Sequence, residues 1–215
     1  MKISQTMRLK KIDNFKKWRD RMKKIGKIKT NYTSFLRNGD FAELLGVTLG
    51  DGHICVYPRT EELRITSNSK NYGFIKRYSL IVEKVFHKKP SIIKSSTENA
   101  TKISLYEKNI SKRMGIPSGS RADVVNVVPN WILSNKSYIL RYLRGLYEAE
   151  GSLSFHLPTY TYKFLFSNKN ESMLLNVFNL MNKLGFHPHL SKFKVQISRK
   201  NEVGRAVDLI GFRKY

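Results

Sequence analysis

Two nine-residue stretches decide the reading: Leu44-Leu45-Gly46-Val47-Thr48-Leu49-Gly50-Asp51-Gly52 and Leu143-Arg144-Gly145-Leu146-Tyr147-Glu148-Ala149-Glu150-Gly151. They align at a constant offset of 99 residues, with Gly46 over Gly145, Asp51 over Glu150 and Gly52 over Gly151. Further on, Ser67-Asn68 matches Ser167-Asn168 and Phe86-His87 matches Phe186-His187, both at an offset of 100. Chance supplies one short match easily, but not three in the same order at nearly the same spacing. The chain is an internal repeat, and its architecture follows from one copy.

Each copy opens with a short helix that ends in an acid followed by glycine. Strand-like alternation follows. Ile54 and Val56 alternate with His53, Cys55 and Tyr57, and Leu63 and Ile65 with Arg64 and Thr66. In the second copy Leu153, Phe155 and Leu157 alternate with Ser152, Ser154 and His156. A period of two predicts one buried and one wet sheet face. Apolar stripes at helical spacing come next: Phe74, Tyr78, Ile81, Val82 and Val85, and then Leu174, Val177, Phe178, Met181 and Leu184. Two more strands are predicted in each copy, about 91–95 and 101–107, and 187–190 and 192–198. In the last of these, Phe193, Val195 and Ile197 share the apolar face. Helical stretches near 108–114 and 201–210 close the copies. The pattern is α-β-β-α-β-β-α, twice.

Gly46 and Gly50, and Gly145 and Ala149, are each four apart and form a small-residue ridge on one face of their helix. A helical glycine costs about 1 kcal/mol relative to alanine, so two in one short helix call for a reason. Close backbone approach between the two helices supplies it. Their ends then lie side by side, with Asp51 beside Glu150. An alternative makes the two acids plain helix-end residues at the surface. It has to accept an acid against the helix dipole twice, at matched positions. Two adjacent carboxylates repel unless a cation sits between them. A hard divalent ion such as Mg²⁺ takes carboxylate and carbonyl oxygens with help from substrate phosphates, which is what phosphodiester hydrolysis requires.

The charge agrees. The 215 residues include 40 Lys+Arg against 16 Asp+Glu, a formal net charge of +24. That argues against an ordinary metabolic enzyme and for a polyanionic partner, nucleic acid before an acidic membrane surface. With 12 Phe and 11 Tyr the chain has a core to build, which excludes a disordered basic tail. One cysteine, Cys55, excludes an intrachain disulfide and a cysteine-based zinc finger. No run approaches the roughly 20 apolar residues of a membrane span, and no signal-peptide core follows the basic start. The chain therefore reads as intracellular, with no membrane partner. Residues 1–40 hold 13 Lys/Arg against 3 Asp/Glu. Within them Ile12, Phe15, Trp18, Met22 and Ile25 make a helical stripe ringed by basic residues. The segment reads as a basic extension, either packed on the main body or touching phosphate.

The paired motifs resemble the signature of LAGLIDADG homing endonucleases in their single-chain, two-motif form. The stretch Gly115-Ile116-Pro117-Ser118-Gly119-Ser120-Arg121, with Val128-Pro129-Asn130-Trp131-Ile132, resembles the link before the second motif. The resemblance covers roughly residues 41–215. It implies an α+β fold of two pseudo-symmetric αββαββα halves, 41–132 and 133–215. In it the motif helices form the interface and two antiparallel sheets form a saddle on the major groove of duplex DNA. Asp51 and Glu150 would be the catalytic metal-binding acids, with the carbonyls of Gly50 and Ala149 as further ligands. Mg²⁺ would support cutting, and Mn²⁺ or Ca²⁺ would substitute for binding. Both strands would be cut across the minor groove, leaving short 3′ overhangs. The family often places a basic residue near each scissile phosphate. Arg121 is the match in the first half, and Lys214 the weaker one in the second. Arg64 fits the polar position near the metals in the first half, where Leu165 stands in the second.

The wet strand faces then give the DNA contacts. They are His53, Tyr57, Arg59, Arg64, Thr66, Lys102, Ser104 and Tyr106 in the first half, and Ser154, His156, Lys163, Lys192, Lys194, Gln196 and Ser198 in the second. His87 and His187 match across the repeat but stand far from the acids, so a metal role is not expected. Tyr147 and Glu148 read as packing and a solvated face. The expected protein is a monomeric site-specific double-strand DNA endonuclease encoded by a mobile element. The competing readings are an intron maturase that binds RNA and a DNA-binding regulator that has lost catalysis.

Overall fold

A computed structural model describes residues 14–121 and 124–215 and divides the chain into two compact units, residues 1–34 and 35–215. In the smaller unit, helix α1 (Asn14–Lys24) carries Phe15 and Trp18 with their rings stacked 5.5 Å apart. Ile12, the first residue of its expected stripe, lies outside the described residues.

The larger unit is built from the repeat. Its first half contains α2 (Gly39–Gly50), β1 (Gly52–Tyr57), β2 (Thr60–Asn68), α3 (Tyr72–Phe86), β3 (Ser91–Lys94), β4 (Ala100–Glu107) and α4 (Ile110–Met114). A short helix α5 (Asn130–Leu133) leads to the second half. There α6 (Lys136–Glu150), β5 (Gly151–His156), β6 (Thr161–Ser167), α7 (Glu171–Lys183), β7 (His189–Ser191), β8 (Lys194–Ile197) and α8 (Lys200–Ile210) follow. The two antiparallel sheets have the same strand order, β1-β2-β4-β3 and β5-β6-β8-β7. Their registers also correspond, with Gly52 opposite Ile65 and Gly151 opposite Phe166.

The local causes are legible. Asn38, in the turn before α2, is its N-cap and accepts from the Phe41 N–H at 2.9 Å. Asn135 caps α6 in the same way, accepting from Ser137 N–H at 2.8 Å. Both second strands end in the same side-chain turn. Asn68 accepts from Lys70 N–H at 2.9 Å, and Asn168 from Asn170 N–H at 2.8 Å. The expected apolar positions Leu63, Ile65, Phe74, Tyr78, Val82, Leu174, Val177, Met181, Val195 and Ile197 are all buried.

The ridges of α2 and α6 meet. A Cβ on Gly46 would fall 2.2 Å from the Tyr142 carbonyl oxygen, and one on Gly145 would fall 2.2 Å from that of Glu43. These neighbours are backbone and cannot step aside, so glycine is required twice. At the helices' N-terminal end the fully buried Glu43 accepts from Arg77 and Arg141, with Arg144 Nε 3.7 Å away. Three guanidiniums from α3 and α6 thus compensate one buried carboxylate on α2, as a buried charge demands.

Two strand expectations need correction. Leu153, Phe155 and Leu157 were expected to be buried, yet they are 43%, 45% and 68% exposed. In the first half Ile54, the match of Leu153, is fully buried and its carbonyl accepts from Gly119 N–H at 3.2 Å, but Val56, the match of Phe155, is 63% exposed against the same expectation. In the second half the residues after α8 turn elsewhere. Tyr215 packs against Gly73 and donates to Glu148, so β5 lacks that contact among the described residues. The last strand begins at Lys194, which leaves Lys192 and Phe193 in a turn with Phe193 52% exposed.

Gly145→Ala should destabilise the fold by about 2–3 kcal/mol, the usual cost of overpacking a tight contact. Gly204→Ala, inside α8 with nothing within 4 Å of the added Cβ, should stabilise it by about 1 kcal/mol. Urea denaturation midpoints of the two variants check both signs.

Candidate active site at the paired helix ends

The helix contact carries through to the acids. A Cβ on Gly50 would lie 2.4 Å from Ala149 Cβ and 3.2 Å from Glu150 Cγ. Asp51 caps α2 in the αR conformation, its N–H donating to the Val47 carbonyl, and Gly52 turns directly into β1. Glycine is needed at that exit, since a Cβ on Gly52 would meet the Thr48 backbone at 2.5 Å and one on Gly151 would meet the Tyr147 oxygen at 2.3 Å. The repeat thus delivers one carboxylate from each half to the same place.

The electrostatics follow from the placement. Asp51 is open to solvent on one side, but the surrounding protein, and after it the charge of Glu150, raise its carboxyl from 3.8 to about 7. Burial also raises Glu150. The helix C-termini face both groups and add to the penalty on charge. Glu150 Oε1 accepts from Asn168 Nδ2 at 3.3 Å. Glu150 opens onto a cavity of about 250 Å³ whose lining also includes Gly50, His53, Arg121, Asn168 and Lys169. Two adjacent carboxyls whose charged forms burial disfavours, with the C-terminal backbone of both helices alongside, form a hard-oxygen donor set suited to a divalent cation. Among the described residues there is no cluster of three or more His, Cys, Asp or Glu side chains, so any further ligands have to be carbonyls, water or substrate.

Arg121 reaches the site in a different role from the one expected of a phosphate-gripping residue. Its Nη2 donates to the carbonyls of Thr48 at 2.9 Å and Gly52 at 2.7 Å, bracing the helix end on either side of Asp51. Burial lowers its pKa, and Nη1 is buried with no hydrogen-bond partner among the described residues. Lys214 is displaced outright. Its Nζ pairs with Asp208 at 2.8 Å, and it lines a cavity with Asp40 and Arg141 at the opposite end of the helix pair. Asp40 precedes Asp51 by about 16 Å of helix. The chain end follows α8 toward α3, and this carries Lys214 away from the acids.

The strand faces bear most of the expected side chains. His53, Tyr57, Arg59, Tyr106, Ser154, Lys192 and Lys194 are exposed, while Arg64, Thr66, Lys102, His156, Lys163, Gln196 and Ser198 are half-buried. Arg59 and Lys192 stand in turns between strands rather than on them. Ser104 is a correction, because it is 1% exposed and donates to Glu62. Alternation alone did not single out Glu62. On the wet face of β2 it also accepts from Tyr57 at 3.0 Å and from Arg64 at 2.7 Å. Burial pushes Glu62 up, but the bonds from Arg64, Ser104 and Tyr57 outweigh it and hold the carboxyl below its ordinary value. Gln196 donates to Ser198 within the other sheet, and Leu165 stands opposite Ser152 and Gln196.

Glu148 is not a solvated side chain. It is 5% exposed and accepts from Tyr215 and from the Arg213 N–H at 2.7 Å. Tyr147 is fully buried against Phe164, as packing requires. His187 Nδ1 lies 2.6 Å from Glu202 and fastens β7's approach to α8. Asn168 and Lys169 at the acid were missed. The repeated Ser-Asn pair was the available signal for the first, and nothing in the spacing marked the second.

In metal-free buffer the raised carboxyl has a signed consequence. Its folded pKa exceeds the unfolded one, so its contribution favours the fold below about pH 4 and is lost as pH rises through about 7. Asp51→Asn should therefore raise stability at pH 8 by about 1 kcal/mol, allowing for solvent screening, and leave it unchanged at pH 4. Thermal unfolding at both pH values reads the difference.

No family model matches the chain, and no curated protein matches it. Solved structures do. A crystal structure of I-DmoI in complex with DNA and Mn matches with a TM-score of 0.57 and 21% identity, over 80% of this chain and 96% of that one. Mesophilic variants of the homing endonuclease I-DmoI match at 0.57 and 20%, over 80% and 90%. Full-length DUF199/WhiA from Thermatoga maritima matches at 0.56 and 21%, over 86% of this chain and 59% of that one. The matches cover 80% of the chain, and the two antiparallel four-stranded sheets agree with them, so this protein has the LAGLIDADG fold, with its two repeated motifs in one polypeptide.

Proposed function

We propose that the protein is a site-specific endonuclease that hydrolyses one phosphodiester bond in each strand of a DNA duplex. The observation that carries the reading is the pairing of Asp51 with Glu150 at the ends of two parallel helices in a chain of net charge +24. Positive charge draws in the polyanion, and the two acids stand where its backbone would arrive. Asp51, Glu150 and the carbonyls of Gly50 and Ala149 would hold divalent metal. When bound, that metal activates water and neutralises the charge that builds on the phosphate. Asn168 orients Glu150, and Arg121 fixes the helix end that presents Asp51. The polar strand faces take the major groove, where Arg64, steadied by Glu62, is placed to read a base edge.

The family resemblance supports Mg²⁺ as the working ion, Mn²⁺ or Ca²⁺ as substitutes for binding, short 3′ overhangs, action as a monomer and a mobile-element origin. The DNA complexes of I-DmoI with Mn and Ca support divalent metal and duplex DNA for that protein. A second reading, DNA binding without cutting, draws support from the shared fold of the LAGLIDADG domain of WhiA. The two retained acids favour cutting, since binding alone gains nothing from opposed carboxylates beside a phosphate.

The test is cleavage of a randomised duplex library by purified protein with Mg²⁺. Recovery of one long site cut in both strands supports the reading. Asp51→Asn and Glu150→Gln should each slow double-strand cutting at least a hundredfold, about 2.7 kcal/mol of transition-state stabilisation, and keep binding in EDTA within about threefold. Undiminished cutting by both variants would refute the assignment.

A further inference from the structure

Residues 14–34 lie outside the repeat and outside the stretch that resembles LAGLIDADG proteins, and they hold eight Lys/Arg against one acid, Asp20. Within them α1 has no acid in its first turn and carries Arg21, Lys23 and Lys24 in its last, where cations suit the helix dipole. Asp20 lies 3.7 Å from Lys23, so the one acid is already faced by a cation. Phe15 and Trp18, three apart and stacked, support an 11-residue helix that is marginal by length alone.

Three of the cations share a face. Lys17, Arg21 and Lys24 are spaced by four and three, and all are exposed. None of the three side chains has an ion pair or hydrogen bond with any described residue. This sets them apart from Arg64, Arg77, Arg113, Arg121 and Arg141, whose guanidiniums are all engaged. The stripe is about 10 Å long at about 1.5 Å per residue, and one strand of a duplex presents about three phosphates over that length. The apolar residues Phe15, Trp18 and Met22, continued by Ile25, take up only about 80° of the circumference at about 100° per residue, narrower than the face with which a helix beds into an apolar phase. A nucleic-acid backbone therefore fits this helix better than a membrane surface does. Residues 25–34, which join α1 to the larger unit, contain no helix or strand. A tether this short keeps the helix at an effective concentration on the order of millimolar beside any duplex that the larger unit holds.

From the unpaired stripe we propose that α1 is a phosphate-binding arm that grips the backbone of the same DNA duplex outside the recognition site, without regard to base sequence. The endonuclease reading enters only in the choice of duplex DNA as the polyanion. Lys17, Arg21 and Lys24 each meet a phosphate, and the arm raises affinity for every duplex by the same factor. It lengthens the stay on DNA and adds nothing to discrimination, which belongs to side chains that reach base edges.

The test uses the full chain and a variant that combines Lys17→Gln, Arg21→Gln and Lys24→Gln. A control combines Lys76→Gln, Lys84→Gln and Lys136→Gln, which removes the same charge from α3 and from the end of α6 opposite Glu150. Binding to the duplex recovered by cleavage and to an unrelated duplex of equal length is titrated against salt in EDTA. In the arm variant the slope of log affinity against log salt should fall by about 2.7 for both duplexes, from three contacts at about 0.9 each. Affinity for both should drop about tenfold or more at physiological salt, with their ratio kept within about threefold. The control should lose less than about one from the slope, and Lys17→Arg with Lys24→Arg should keep it. Because the three side chains are exposed, matched thermal midpoints are expected throughout. Equal slope losses in the arm variant and the control would overturn the proposal, since net charge alone would then explain them. So would a loss confined to the recovered duplex, or an unchanged duplex slope with weakened binding to single-stranded RNA or to phosphatidylserine vesicles. Absence of cutting by the wild-type chain would instead overturn the endonuclease reading, and the slope on the unrelated duplex would still decide whether α1 meets phosphate.

Discussion

Backbone contact between α2 and α6 is the constraint on which the rest depends. Gly46 and Gly145 each lack a side chain where one would strike the other helix's backbone at 2.2 Å. No larger residue fits, and no side-chain adjustment relieves the clash. The contact has two effects. It joins the halves through their least deformable parts, and it fixes where the helices end. Asp51 and Glu150 adjoin because the ridges that precede them adjoin. The cost shows in the Asp51 carboxyl, raised to about 7. That cost is local and electrostatic, and a bound cation would reverse it.

The two ends of the helix pair are handled in opposite ways. At the N-terminal end a buried carboxylate, Glu43, meets Arg77, Arg141 and Arg144, and the charge is balanced within the protein. At the C-terminal end Asp51 and Glu150 lie at adjoining helix ends, and the Arg121 guanidinium beside them donates to backbone carbonyls. Balance there has to come from outside. The contrast between a satisfied structural end and an unsatisfied chemical end marks the site more clearly than any single residue. Departures from symmetry stand at the same end: the Arg121 brace has no counterpart in the second half among the described residues, and Ile54 is buried where Leu153 lies open.

Much of this was legible in the sequence, for definite reasons. The repeat, the four-residue spacing of small residues and the terminal acids are local features, and local spacing specifies helix faces and ends. Strand alternation placed Leu63, Ile65, Val195 and Ile197 in the core because those strands have neighbours on both sides. It failed for Val56, Leu153 and Phe155, which stand on the edge strands β1 and β5, where the strand has a neighbour on one side only. It failed for Ser104 as well, because a wet-face position can be closed by a neighbour such as Glu62. Arg121 was found by its place in the link, but its bonds to the Thr48 and Gly52 carbonyls depend on tertiary geometry. Lys214 corresponds to Arg121 only in following its half's last helix, and the residues after α8 run toward α3, where Lys214 pairs with Asp208.

The central claim is that the helix contact builds one cation site shared by both halves. An anomalous-difference map from crystals of the protein with its duplex and Mn²⁺ tests it most directly. The expected result is density in contact with the carboxylates of both Asp51 and Glu150, lost or weakened in Asp51→Asn. Mn²⁺ bound elsewhere, with no density between the two acids in a complex competent to cut, would contradict it.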